Sequence, residues 1–227
     1  MIIAIDGPAG AGKSTTARAL AERLNYCNIN TGAMYRAVAL TAVETGIAAT
    51  DGEALAACAE KLPLHLSDRG HKIWIGDRDV SDAIRTPEIG DLTSVISTHP
   101  DLREVIVALQ RRLAREGEAD CGGAVLEGRD IQTVVFPDAE VKIFLTADAR
   151  TRAERRGAEW NDDLEAAVRD IEARDTRDTT REIAPLRAAP DAMHLSTNGL
   201  SPDQIVHAIV TQVQHVEMIA AAGNDNP

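Results

Sequence analysis

The chain has 227 residues, enough for one substantial core, and its 44% hydrophobic and 26% charged content excludes wholesale disorder. A formal net charge of -12 excludes a general attraction to nucleic acid or anionic lipid, because the summed field repels polyanions. Cysteines 27, 58 and 121 and the six histidines fall in no zinc-like spacing, and cysteines so far apart fit a reduced compartment better than a disulfide framework.

Met1 to Ile5 is an apolar run stopped by Asp6-Gly7-Pro8, which predicts a buried strand. The run is too short for a secretion signal and lacks its basic start, and no stretch approaches a membrane span, so cytoplasmic residence is expected. From Lys13 to Leu24 the residues Ala17, Leu20, Ala21 and Leu24 recur at helical spacing. A second short strand, Tyr26 to Ile29, leads into helices from about Ala33 to Thr45, stopped by Gly46, and over Asp51 to Lys61, with Asp51 as N-cap. Leu64 to Ser67, Lys72 to Ile75 and Arg78 to Val80 are short β-prone pieces that predict a small antiparallel meander inserted between parts of the main fold.

Helices are predicted from about Pro87 to Thr98 and from Pro100 to Glu116, broken at His99-Pro100. Ala124 to Glu127 and Glu140 to Thr146 are short and rich in Val, Leu, Ile and Phe, as core strands are. Helices around Ala149 to Gly157 and Asp162 to Asp175 follow, then an Arg/Asp/Thr segment, a strand near Ala192 to Leu195, a last helix from Ser201 to about Ala220 and a loose tail. Strands alternating with helices predict an α/β fold with a doubly wound, mainly parallel sheet.

Gly7-Pro8-Ala9-Gly10-Ala11-Gly12-Lys13-Ser14-Thr15 carries the pattern G-x-x-x-x-G-K-[ST] between a strand and a helix, the context the motif requires. Its glycines let successive backbone N–H groups turn inward as an anion nest, and the helix N-terminus adds its positive dipole end. Lys13 is placed to reach the β and γ phosphates of a nucleotide, and the Ser14 hydroxyl to ligate Mg2+. Motors, GTPases, ATPases and small-molecule kinases share this loop, so it does not name a reaction.

The remaining signals lie elsewhere. Arg outnumbers Lys 20 to 4, and nine arginines fall between 150 and 187, a bias toward the forked donor that grips phosphate or carboxylate in two places. Arg36 lies one helical turn beyond Thr31-Gly32, where it is either an exposed residue of a capped helix or a grip for an acceptor phosphate. Gly128-Arg129-Asp130 leaves the carboxyl end of a buried strand, the edge where open α/β sheets bind ligands, although Arg129 and Asp130 also suit simple mutual pairing. Arg174, Arg177, Asp178 and Arg181 share one helical face, which suits an anion site and a salt-bridged surface equally.

Taken in order, IIAIDGPAGAGKST, NTGAMYR, SDAIRTPEI, EGRD followed by TVVFPDA, RDTRDTTR with APL, and a final LS before the last helix resemble the bacterial cytidylate kinases, from Ile2 to about Val216. The resemblance implies a P-loop kinase domain over residues 1–222, with an acceptor-binding insertion at 37–86, a lid at 152–163 and a flexible tail at 223–227. It implies transfer of the γ-phosphoryl group of ATP to CMP or dCMP, with Mg2+, by a monomer. On the family pattern Thr31 and Arg36 seat the acceptor nucleotide, and Arg129 and Arg181 hold its phosphate together with Arg36. Ser94, Arg103 and Asp130 face the cytosine, and Arg174 and Asp178 contact the sugar hydroxyls. Arg152, Arg155 and Arg156 open the lid and come over the phosphates, so that Lys13, Arg129, Arg181, Arg152 and Arg156 form the catalytic set. Cytosine presents an amine donor beside its N3 and O2 acceptors, which suits a carboxylate next to Arg and Ser donors; uracil reverses two of these groups.

Three positions depart from the family pattern. Gln132 stands where Gly is usual, Ser196 replaces an Asp ahead of the last helix, and the lid between Arg156 and Asp163 is short. Two other readings compete: a kinase with another acceptor, and a nucleotide switch that hydrolyses ATP or GTP slowly with no acceptor. A GTP switch carries a base-reading N-K-x-D motif, and this sequence has none.

Overall fold

In a computed structural model of the chain, the residues described are 1–155, 157 and 163–224. The main sheet has five parallel strands: β1 (Ile2–Asp6), β2 (Cys27–Asn30), β6 (Ala124–Gly128), β7 (Val141–Thr146) and β8 (Met193–Ser196), in the order β2-β6-β1-β7-β8. β1 is the central strand and every one of its residues is buried, which is why its sequence reads as a continuous apolar run instead of an alternating one. Helices α1 (Lys13–Leu24) and α8 (Pro202–Asn224) cover one face, with Leu20, Ile209 and Val213 meeting Ile3, Ile5 and Leu145. On the other face α2 (Thr31–Thr45) and α5 (Pro100–Cys121) bring Met34, Val38, Leu102 and Ile106 onto Ile2, Ala4 and Leu126. This is the doubly wound architecture the alternating pattern predicts.

Asn30 caps α2 by accepting from Ala33 N at 2.8 Å, and Asp51 caps α3 (Gly52–Lys61) by accepting from Ala54 N at 3.0 Å. The predicted meander forms a separate antiparallel sheet of β3 (Leu64–Ser67), β4 (Lys72–Ile75) and β5 (Arg78–Asp79), whose Leu64 and Ile73 join the α2 and α5 core. α4 (Pro87–Ile96) follows, with Thr86 accepting from Ile89 N at 3.3 Å. Between β7 and β8 lie α6 (Ala149–Arg155) and α7 (Leu164–Thr180).

Several expectations are corrected. The Arg/Asp/Thr segment is not a separate piece but the last turns of α7: Thr176, Thr179 and Thr180 turn their hydroxyls back onto carbonyls of Glu172, Asp175 and Thr176 at 2.7–2.9 Å, which reconciles these weak helix formers with helical backbone. α5 runs past Glu116 to Cys121 and ends where Gly122 takes φ 78°. That extension brings Cys121 beside Cys27, and a disulfide joins them with Cα atoms 5.9 Å apart, against the reduced state expected from their 94-residue separation. A π-helical turn at Ile131–Val135 had no sequence signal. α8 continues to Asn224, and its stretch 202–222 is long and apolar enough by length and composition to cross a membrane, contrary to the expectation of none. Its inner residues Ile205, Val206, Ile209 and Val213 are part of the core.

Candidate active site

The site is built at the carboxyl ends of β1, β6 and β7. The glycine loop leaves β1 at Gly7, where a Cβ would lie 2.2 Å from the Leu145 carbonyl oxygen, so only glycine lets the chain turn this close to β7. The loop ends at Gly12, with φ 90°, which precedes α1 without any side-chain cap, and no acidic residue stands in the helix's first turn. The first N–H groups of α1 therefore face the loop without a competing carboxylate, the arrangement that binds anions.

Lys13 is 5% exposed and donates from Nζ to Pro8 O at 2.7 Å. Burial, reinforced by the Arg129 charge, pulls its pKa down to about 7, while Glu127 and Asp6 oppose the drop. A polyphosphate beside Nζ favours the charged form, so an ATP analogue should take up close to one proton on binding at about pH 8 and bind less tightly as pH rises toward 9. Calorimetry in two buffers of different ionisation heat measures that uptake, and Lys13→Met should abolish it. The same depressed pKa means the unfolded chain binds more protons between pH 7 and 10.5, so this group makes stability rise with pH across that window.

Ser14 donates from Oγ to Glu127 Oε1 at 2.7 Å. Glu127, 5% exposed at the end of β6, was missed in the sequence; an acid closing an otherwise apolar strand was the available signal. A hydroxyl and a carboxylate side by side fit Mg2+, which takes one or two protein oxygens and fills its octahedron with phosphates and water. Among the described residues no group of three or more His, Cys, Asp or Glu forms an all-protein metal cage.

Asp6, fully buried at the end of β1, accepts from Ile131 N at 3.0 Å and Gln132 N at 2.9 Å, and so fixes the chain just after Gly128-Arg129-Asp130. Burial pushes its carboxyl up to about 6 despite these donors. Gln132, the residue that departs from the family pattern, is 1% exposed; its amide donates to Ile143 O at 3.4 Å and accepts from Ala189 N at 3.0 Å, pinning the turn to β7 and to the segment before β8. Ser196 is exposed, and the buried residue near the loop is its neighbour Thr197, whose Oγ lies 3.2 Å from Ala11 O.

The residues expected to hold an acceptor converge across one cavity of about 840 Å³ that also opens on Ala9, Gly10, Gly12, Lys13, Ser14 and Thr15. Thr31 lines it while donating to Glu127 O at 2.7 Å, and Arg36 lines it while donating to Ile84 O at 2.8 Å. Arg103 and Asp130 form a buried ion pair, 5% and 8% exposed, resolving the choice left open for Asp130: its partner is Arg103, not Arg129. Arg129 instead donates from Nε to Asp178 Oδ2 at 2.8 Å. Arg181 Nη2 lies 3.9 Å from Asp130 Oδ1, and burial lowers the Arg181 pKa. Arg174 reaches Ser94 Oγ at 3.0 Å. Arg155 lines the far end of the cavity and donates to Thr197 Oγ and O, both at 2.9 Å.

Two members of the expected catalytic set stand apart. Arg152 does not line the cavity; it is 5% exposed beneath the glycine loop, its guanidinium held by Ala9 O, Ala147 O and Asp175, because α6 begins directly under the loop. Arg156 and most of the expected lid fall outside the described residues.

A phosphate-binding glycine loop on the central parallel strand, facing a ring of arginines over a shared cavity, defines a P-loop nucleotide kinase. The sequence model of the cytidylate kinase family matches residues 3–215, and the chain belongs to that family. A protein of Syntrophotalea carbinolica named cytidylate kinase is 45% identical over 226 residues, spanning 96% of this chain and 94% of its own. One of the same name from an Exiguobacterium species is 44% identical over 222 residues, 95% and 97% of the two chains. A crystal structure of an uncharacterized protein from Eubacterium ventriosum superposes with a TM-score of 0.50 at 14% identity, covering 94% of this chain and 98% of that one, a likeness of fold alone.

Proposed function

We propose that the protein transfers the γ-phosphoryl group of ATP to CMP or dCMP, giving ADP and CDP or dCDP. The observation that carries this reading is the single cavity onto which both Lys13-Ser14 and the Arg103, Asp130, Arg129 and Arg181 group open. Phosphoryl transfer asks a protein for positioning and charge neutralisation more than for covalent chemistry. The glycine loop and the N-terminus of α1 seat the triphosphate of ATP. Lys13 lies against its β and γ phosphates, while Arg129, Arg181 and Arg36 hold the acceptor phosphate in line with it.

Ser14, with Glu127 beside it, would hold Mg2+, which would supply charge neutralisation on the donor phosphates. Asp130, oriented by Arg103, accepts from the cytosine amine, and Ser94 and Arg103 donate to its acceptors. Arg174 and Asp178 take the sugar hydroxyls. Arg155 closes over the phosphates at the donor end, a part in which Arg156 joins it. Residues 37–86 act as the acceptor-binding insertion and 152–163 as the lid within a kinase domain ending near 222, with 223–227 as tail. A cytoplasmic location goes with this reading, since ATP and CMP meet there, and it exposes the Cys27–Cys121 disulfide to a reducing compartment; the chain is read as a monomer.

A coupled assay of ADP release with CMP, dCMP, UMP, AMP and shikimate tests the reading. CMP and dCMP should turn over at least about 100-fold more efficiently than UMP, because a buried donor and acceptor set left unpaired by the wrong base rejects it. ADP release indifferent to CMP would point instead to a nucleotide hydrolase with no acceptor.

A further inference from the structure

We infer that Asp175, acting through Arg152, is a positioning residue that couples the glycine loop to the acceptor half of the cavity, so that occupation of one half tightens binding in the other. The inference rests on the kinase reading above and assigns a task to a contact which that reading leaves unused.

Arg152 joins three elements with one planar group. Its Nε donates to Ala147 O just past β7 at 2.9 Å, and its Nη1 to Ala9 O inside the loop at 3.1 Å. Both terminal nitrogens meet Asp175, Nη1 to Oδ1 at 2.9 Å and Nη2 to Oδ2 at 2.5 Å. Four of the five N–H donors of a guanidinium are engaged in this way. The loop also rests on the same residue: a Cβ at Gly10, where φ is +76°, would lie 2.9 Å from Arg152 Cβ. A shift of the loop therefore moves Arg152 or breaks these contacts.

At the other end of the pair, Asp175 sits on α7 between two residues of the acceptor side. Arg174, next to it, donates to Ser94 Oγ at 3.0 Å and Gly90 O at 3.3 Å on α4. Asp178, three residues on, accepts from Arg129 Nε at 2.8 Å. Within one helical turn α7 thus reaches the donor loop indirectly, from Asp175 by way of Arg152, and the acceptor cavity through Arg174 and Asp178. A two-point carboxylate–guanidinium contact fixes orientation as well as distance, which a single hydrogen bond does not. Adjustment of the loop to a triphosphate is passed along this contact to the turn that carries Arg174 and Asp178, and the reverse holds by linkage.

The coupling is measurable as the factor by which a saturating β,γ-imido analogue of ATP with Mg2+ changes the Kd of CMP, read by calorimetry at equilibrium. The wild-type chain should show a factor of about fivefold or more, within the usual range for coupled sites. Asp175→Asn, which keeps the shape but removes the charge and one acceptor oxygen, should bring the factor below about twofold while the Kd of CMP alone stays within about threefold of wild type. Arg152→Lys keeps the positive charge, loses the fork and should give the same loss; it carries the test if Asp175→Asn does not fold. A wild-type factor of one, or an undiminished factor in the variant, would overturn the inference. Failure of the kinase reading is distinguishable, because CMP would then not bind the wild-type chain at all.

Discussion

Lys13→Ala should lower kcat/KM for CMP by about a thousandfold, roughly 4 kcal/mol of transition-state stabilisation, with little loss of stability. The functional loss follows from placement: Nζ is nearly buried at the base of the loop, where a charge acts through little solvent, and no other Lys or Arg in the loop substitutes for it. The small stability effect follows from the same burial. Desolvation is the largest influence on the Lys13 pKa and lowers it, so the folded protein gains little from this charge. Deleting it removes one hydrogen bond, to Pro8 O, along with a group whose charging is disfavoured. Steady-state kinetics beside a thermal melt separates the two. A twofold kinetic loss, or a collapse in Tm matched to the kinetic loss, contradicts the assignment.

Asp130→Ala should show the opposite profile, with losses in both stability and base selectivity. The Asp130 carboxylate is paired with Arg103 and lies 3.9 Å from Arg181 Nη2, with all three side chains largely buried. Its removal leaves two guanidinium groups close together without their counter-ion, a loss of about 3–5 kcal/mol typical of a broken buried pair. For a domain of this size that corresponds to a Tm lower by roughly 6–20 °C. Arg103 also donates to Ser97 O at 3.3 Å, and this weaker contact alone does not hold its fork against the cytosine site. Discrimination between CMP and UMP should fall by about 100-fold, measured as the ratio of kcat/KM values at a temperature where the variant is folded. Asp130→Asn, which keeps the shape and one acceptor, should lose less stability than Asp130→Ala and still lose selectivity. Selectivity intact in both variants would place the base elsewhere.

How much of this was legible in the sequence depended on how local each signal is. The glycine loop, its strand and its helix were readable because backbone freedom and an apolar run are properties of consecutive residues; α1 has the predicted bounds, Lys13 to Leu24. Arg129 and Asp130 were pointed to by their place at the carboxyl end of a buried strand, whereas Arg36, Arg174, Asp178 and Arg181 were assigned to an acceptor site only through the resemblance, since their spacing also suits exposed helix faces; all six line one cavity. What escaped was set by neighbours distant in the chain. Glu127 acquires its role from Ser14, 113 residues away, and Asp6 from the backbone of Ile131 and Gln132. Arg152 has the charge expected of a phosphate ligand, but its surroundings decide otherwise, since Ala9 and Asp175 claim its donors before the cavity can. The pairing of Cys27 with Cys121 depended on how far α5 runs beyond Gly117, where a Cβ would lie 2.9 Å from Cys27 Cβ; glycine there gives the sulfur pair room.

The central claim is that donor loop and acceptor arginines form one two-substrate site. It is tested most directly by following the label of ATP carrying 32P in its γ position during incubation of the protein with Mg2+ and CMP. The label should appear in the β position of CDP, with release of inorganic phosphate slower by orders of magnitude. Label found only in inorganic phosphate, at a rate unchanged by CMP, would contradict it.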